Sequence, residues 1–406
     1  MRERAREQRA LSRGWWTAAI LVLIPVAIPP ISLLWQVMSR GSGVMLPTDR
    51  LLELFFNTLL LTAAVTVTAL TIGTSTAWIT TRTTIRFRRG WMILAALPLV
   101  IPSYVAALTI IGATGPGGMF ARVFGIEIPT PYGFVGAWLA LAIFLAPMAH
   151  LIVTPGLRLI DPATEEAAVG LGSSRLKAFF TVTVPQLRPA LVSSGLMVGL
   201  YTLSDFGAVS LLRFDTFTRA IFTLYQGQID RRPAGTLSAI LMAFAIFILI
   251  SERRTRGRAQ YHKAKPPRRR QHTELNRRQR WLATGFLGTI VTVSLMVPLA
   301  VLTYWLTRGL SAGQTIPSIW PEIGRSLTVA VVAAVVAASI SIPVAMVTAR
   351  HSSRLSGWAE SLVWGTYSLP HITVGVALVG FALAWARPLY QTLFLLIAAY
   401  VVMFLA

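Results

Sequence analysis

The side chains that could do chemistry in this chain are sparse and do not converge. It has 15 acids, five histidines and no cysteine in 406 residues. Without thiols there is no disulfide framework and no thiolate metal or redox site. His150, His262, His272, His351 and His371 are scattered, so no metal site is read. No cluster of His, Asp or Glu marks a catalytic centre. No Gly-Lys dipeptide occurs, which excludes a phosphate-binding loop of the G-x-x-x-x-G-K-[ST] kind. The expectation is a chain with no catalytic residue, no cofactor and no metal. Two places remain. One is the polar stretch 161–189, DPATEEAAVGLGSSRLKAFFTVTVPQLRP. The other is Asp205, an acid inside an expected span, near its outer end.

The polar stretch reads as two short helices joined at a glycine. Asp161 followed by Pro162 is an N-cap with proline at the first helical position. Glu165 and Glu166 fall early in that helix, where its positive end favours acids. Gly172 stops it, and Ser173-Ser174 can cap a second helix. In the second helix Leu176, Phe179, Phe180 and Val184 form an apolar stripe, and Pro185 is expected to end it. Two readings are open on this pattern alone: an amphipathic hairpin lying on a membrane, or a small-residue elbow that another protein approaches.

The elements around these places are membrane-grade. The chain is 54% hydrophobic and 13% charged, against about 25% charged for a soluble domain. Ten apolar runs, each near the roughly 20 residues a span needs, lie at about 15–38, 55–80, 91–113, 133–155, 189–212, 234–251, 281–306, 323–349, 357–385 and 389–406. The fold expected is an all-α polytopic membrane protein in the lipid bilayer. A net charge of +22 suggests nucleic acid as a partner. Yet the basic residues sit between the apolar runs and carry no nucleic-acid motif, so none is expected. With the N-terminus in the cytoplasm and the runs alternating, 27 of the 37 Lys and Arg fall inside, as the positive-inside rule requires. The stretch 161–189 is then cytoplasmic. So is 252–280, a basic tether between two halves.

The halves repeat. Asn57-Thr58-Leu59 matches Arg325-Ser326-Leu327. Pro102 with Gly112 matches Pro370 with Gly380, at the same offset of 268. Phe144-Leu145-Ala146 matches Phe404-Leu405-Ala406 at an offset of 260. Residues 1–251 form a first half of six spans, and 281–406 a second half of four. The counterpart of Glu166 would fall near 426, past the last residue. The second half is therefore expected to be incomplete, either as a fragment or as a truncated gene product. Internal repeats of this sort are common in transporters, with the pathway at the repeat interface.

Glu166-Ala167-Ala168, three residues, Gly172, nine residues, then Val182-Thr183-Val184-Pro185 is similar to the E-A-A loop of MetI-like permeases of binding-protein-dependent ABC importers. Valines stand where that pattern has Ile and Leu. The resemblance implies a coupling helix, seated in a groove of a separate ATP-binding cassette ATPase subunit. It assigns that role to Glu166, Ala167, Ala168 and Gly172, with Val182, Val184 and Pro185 as the supporting end. Glu165 is added on charge, as a second acid for a basic groove. Two ATPase subunits and an extracytoplasmic substrate-binding protein are the partners implied, in a bacterial plasma (inner) membrane. Ser204-Asp205-Phe206-Gly207-Ala208-Val209, with Phe217-Thr218 and Ile221, resembles the same region of ferric-iron importer permeases. Thiamine, phosphonate and polyamine permeases are the alternatives, and an ion-coupled secondary transporter is a rival from another class. Asp205 is either a pathway or gate residue or an interfacial acid paired with Arg213 or Arg219.

Overall fold

The computed structural model describes residues 13–40, 46–227, 230–256, 273–315, 317–350 and 369–405. Among them there is no strand, only one isolated parallel bridge between Thr83 and Thr273, so the protein is all-α. Two long helices open the chain, α1 (Arg13–Arg40) and α2 (Thr48–Arg82). α3 (Arg88–Ala96) and α4 (Ser103–Ala113) follow, joined by a tight turn over Leu97–Val100. The short α5 (Met119–Phe124) precedes the long α6 (Phe134–Leu159). The polar stretch is α7 (Pro162–Gly170) and α8 (Arg175–Ala178). α9 (Val184–Ser204), α10 (Gly207–Leu211), α11 (Phe217–Gly227) and α12 (Arg232–Arg256) follow. Beyond the linker come α13 (Arg277–Val291), α14 (Val297–Ser311), α15 (Trp320–Arg350), α16 (His371–Trp385) and α17 (Leu393–Phe404).

Among the described residues, six helices are long and apolar enough to cross a membrane: Gly14–Ser39, Thr48–Arg82, Phe134–Leu159, Arg232–Ile250, Arg277–Ser311 and Trp320–Thr348. These coincide with six of the ten expected runs. The run at 91–113 is not straight. α3 and α4 meet at 93°, because Pro102 forces the residue before it out of the helical region, and Ile101 is extended at ψ 116. The run at 189–212 is helical to Ser204 and breaks at Asp205. The front of the run at 357–385 and the linker residues 257–272 lie outside the described residues. α16 and α17 are shorter apolar helices.

Pro185 does not end its helix. The backbone widens to a π turn over Phe179–Thr183 and runs on into α9. A proline inside a helix clashes with the carbonyl four residues earlier, and a π turn relieves that clash. The same device recurs at Thr292–Met296, ahead of Val297-Pro298.

The helices form two compact units, each discontinuous in sequence. One unit holds 53–216 and 250–314. Its core joins Leu61, Val65 and Ala69 of α2, Ala137, Leu141 and Leu145 of α6, and Val198 of α9. α2 and α6 cross closely at Gly73, where an added Cβ would lie 2.7 Å from the Ala146 carbonyl oxygen. Small residues at such crossings are how membrane helices gain packing. In the same unit α14 lies on α4, and Trp305 Nε1 donates to the Gly112 carbonyl at 2.9 Å.

The other unit holds the N-terminal residues to Leu52, then 217–249 and 315–406. Here α1 lies on α16: Ser32 Oγ donates to the Ala377 carbonyl at 2.9 Å, Gln36 presses on Gly380, and the rings of Trp35 and Trp385 are 4.2 Å apart. At an offset of 268, α14 corresponds to the end of α1, α4 to the start of α16, and Gly112 to Gly380. One helix-on-helix packing therefore occurs twice, once in each unit.

A candidate coupling elbow and a buried carboxylate

The elbow is built by its caps. Asp161 is extended (ψ 119) and its carboxylate accepts from the Ala163 amide, satisfying one of the donors a helix start leaves open. At the far end Gly172 adopts φ +92. Its amide donates to the Val169 carbonyl at 2.9 Å, and the Ser173 amide to the Ala168 carbonyl at 3.1 Å. This pair of bonds is a Schellman closure, which puts glycine at the left-handed position. Ser174 then caps α8 by accepting from the Lys177 amide.

Burial separates the expected elbow residues. Glu166 and Ala167 are exposed, Ala168 is half-buried, and Gly172 is exposed with nothing within 4 Å of where a Cβ would stand. Glu165 turns inward instead: its Oε2 accepts from Thr183 Oγ1 at 2.7 Å, and Thr183 is fully buried. Val182 and Val184 are half-buried and Pro185 is exposed. The apolar stripe divides as well. Phe179 packs edge-on against Trp78, with ring centroids 6.3 Å apart. Leu176 and Phe180 are 68% and 59% exposed. Leu171, between two glycines at the tip, is 89% exposed.

Sequence reasoning passed over Leu171, Thr183 and Arg82. A single bulky apolar residue amid Gly and Ser was the available signal for Leu171. Thr183 and Arg82 gave none, since their contacts come from elsewhere in the chain. Arg82 is only 9% exposed, and its Nη2 donates to the Ile160 carbonyl at 2.9 Å.

Asp205 is 6% exposed and caps the break after α9. One carboxylate oxygen accepts from Ser103 Oγ at the start of α4. The other accepts from the Ala208 amide at 3.0 Å and the Val209 amide at 3.4 Å. Asp205 thus joins the two broken runs, at Pro102 and at its own position. Arg213 lies over the ring of Tyr132 at 4.8 Å.

Among the described residues no group of three metal-ligating side chains forms. His150 is buried with Nδ1 3.1 Å from Thr76 Oγ1. His371 opens α16 beside the ring of Phe404, 6.2 Å away. His262, His272 and His351 lie outside the described residues. On the loop before α12, hydrogen bonds from Arg232 hold the exposed Asp230 carboxyl below the usual carboxylate range.

Apolar helices in this number, packed through glycines and carrying one polar elbow, define a multi-pass membrane protein. No family model matches the chain. Curated relatives do. The chain is 31% identical over 400 residues to an Fe(3+)-transport system permease protein of Haemophilus influenzae, covering 96% of this chain and 76% of the relative. It is 32% identical over 202 residues to a ferric transport system permease protein of Actinobacillus pleuropneumoniae, covering 48% of this chain and 29% of that one. It is 29% identical over 186 residues to a sulfate transport system permease protein of Salmonella typhimurium, covering 44% and 67%.

The chain belongs to the permease family of binding-protein-dependent ABC importers. It is the transmembrane permease of an ATP-driven importer and not itself an enzyme, as permease subunits of this family leave hydrolysis to a separate ATPase subunit.

Proposed function

We propose that this permease imports ferric iron across the bacterial inner membrane, with its N-terminus in the cytoplasm. The reading of the cargo rests on the ferric iron for which the relatives at 31% and 32% identity are named and on the Ser204–Val209 segment. A binding protein delivers the cargo to the outer loops, such as 213–233. Two ATPase subunits receive the elbow, and their closure on ATP switches the pathway from inward-open to outward-open. The observation that carries the mechanical part is the tip. Its small residues and Leu171 stand exposed while the base is tied down by Glu165 and Thr183. Glu166, Ala167, Ala168 and Gly172 make the docking contact; Glu165, Val182, Val184 and Pro185 support it.

Residues 1–251 and 281–406 act as two homologous halves around the linker 252–280. The packing of α1 on α16 and of α14 on α4 supports this, since each half then lends its first helix to the other half's core. Asp205 serves as a pathway or gate residue of the first half.

Replacing Gly172 with Trp or Glu166 with Lys should abolish co-purification of the ATPase subunits and uptake together; unchanged association and transport would reject the docking role. For the cargo, the reconstituted complex should raise its ATP hydrolysis with an iron-loaded binding protein. Stimulation by a protein loaded with thiamine, phosphonate, polyamine or another cargo, and not by the ferric one, would overturn the iron assignment.

A further inference from the structure

We infer that Arg82 is a positioning residue for the elbow, a buried clamp that sets the angle at which α7 leaves α6 and carries force from the elbow into α2. This rests on the coupling reading above.

Four basic residues follow one another at the end of α2 and beyond it: Arg82, Arg86, Arg88 and Arg89. Arg86 and Arg89 are exposed, as inner-face charges should be. Arg82 alone of the four is buried. Burying a guanidinium is costly unless acceptors surround it, so its placement calls for a cause. Its Nη2 bonds the carbonyl of Ile160, the residue immediately before the Asp161 cap. It also feels the charges of Glu165 and Asp161, one turn apart at the start of α7. Glu165 is in turn bonded to the buried Thr183 at the base of α9.

The backbone of the same arginine is engaged. Its carbonyl accepts from the Thr273 amide at 2.8 Å, and the Thr84 amide donates to the Thr273 carbonyl at 3.3 Å. Ile79, Ile85 and Leu287 pack around this junction. Arg82 therefore joins three pieces of chain: the end of α2, the entry to the elbow, and the last part of the linker at Thr273. A rigid fork suits this task. Guanidinium holds the Ile160 carbonyl in a fixed direction while its charge lies near two carboxylates, where an ammonium offers a single point of charge. The arrangement holds the elbow rigid against α2 and α9, so that a push at the tip moves helices rather than bending a hinge.

The test uses the complete transporter with its ATPase subunits and binding protein in lipid. The chain has no cysteine, so Leu171→Cys provides one spin-label site at the tip. Arg82→Gln should leave the ATPase subunits associated, lower uptake per ATP hydrolysed at least about tenfold, and sharpen the label's spectrum into a mobile component. Arg82→Lys should recover part of the coupling. Thr183→Val, which removes only the bond to Glu165, should loosen the label in the same direction and guards against a misfolded Arg82 variant. Wild-type coupling with an unchanged spectrum in Arg82→Gln, or in Thr183→Val should Arg82→Gln not fold, would overturn the proposal. If Gly172→Trp leaves association intact, the coupling reading itself fails, a result separate from anything seen at Arg82.

Discussion

At the scale of single residues, the same kind of side chain is used for opposite purposes a few positions apart. Glu165 and Glu166 are neighbours in sequence with identical chemistry, yet one braces and the other is presented. Both were legible as helix-start acids. Which of them faces Thr183 was not, because that depends on where α9 returns. Asp205 was legible as an oddity, an acid in an apolar run. Its partners Ser103, Ala208 and Val209 required the fold. The Ser103 hydroxyl and two amides suit a carboxylate; in asparagine the side-chain oxygen can keep the two backbone bonds while its NH2 donates to the Ser103 hydroxyl oxygen. Asp205→Asn should therefore keep the thermal midpoint of the purified protein near that of the parent while uptake falls strongly. Asp205→Ala should lose about 1–3 kcal/mol from buried donors left without an acceptor, read as a lower midpoint. Full uptake in Asp205→Asn would remove the acid from the pathway and leave it a capping residue.

At the scale of elements, prolines and glycines decide more than hydrophobicity does. Apolar runs located the helices, since periodicity and length are local properties. They could not tell that 91–113 bends by 93°, nor that the chain runs through Pro185 by widening into a π turn. Helix crossings follow the same logic. A methyl group at Gly73 would press on the Ala146 carbonyl and the His150 amide, each 2.7 Å away. One at Gly90 would meet nothing within 4 Å. Gly73→Ala should cost about 1–3 kcal/mol from overpacking, and Gly90→Ala should be neutral or slightly stabilising because alanine favours helix. Thermal unfolding in detergent measures both. Equal effects at the two positions would show that the α2–α6 crossing has room for a methyl group.

At the scale of the whole molecule, the proposed internal repeat becomes a packing rule. On that proposal the pairs α1–α16 and α4–α14 are equivalent positions of a duplicated sequence, and each seats a bulky side chain on a glycine, Gln36 on Gly380 and Trp305 on Gly112. Leucine at Gly112 or at Gly380 should therefore impair assembly of the permease to a similar degree, seen as comparable losses of folded protein by size exclusion. A large loss at one position with none at the other would break the equivalence. Neither compact unit follows the sequence halves, since first helices are shared out between them.

Short-range properties decided what could be read from the chain alone. Segment hydrophobicity made it a helical membrane protein, and capping residues with one glycine drew the elbow. The spacing from Glu166 to Pro185 named its family. Each of these is a property of one continuous stretch of chain. Tertiary structure decided what depends on distant partners. It buried Arg82 against Ile160, turned Glu165 to Thr183, closed Asp205 on Ser103 and left Leu171 in the open. A polar group shows its use only when the chain has brought its acceptor within hydrogen-bonding distance, and no local pattern encodes which segment will return to provide it.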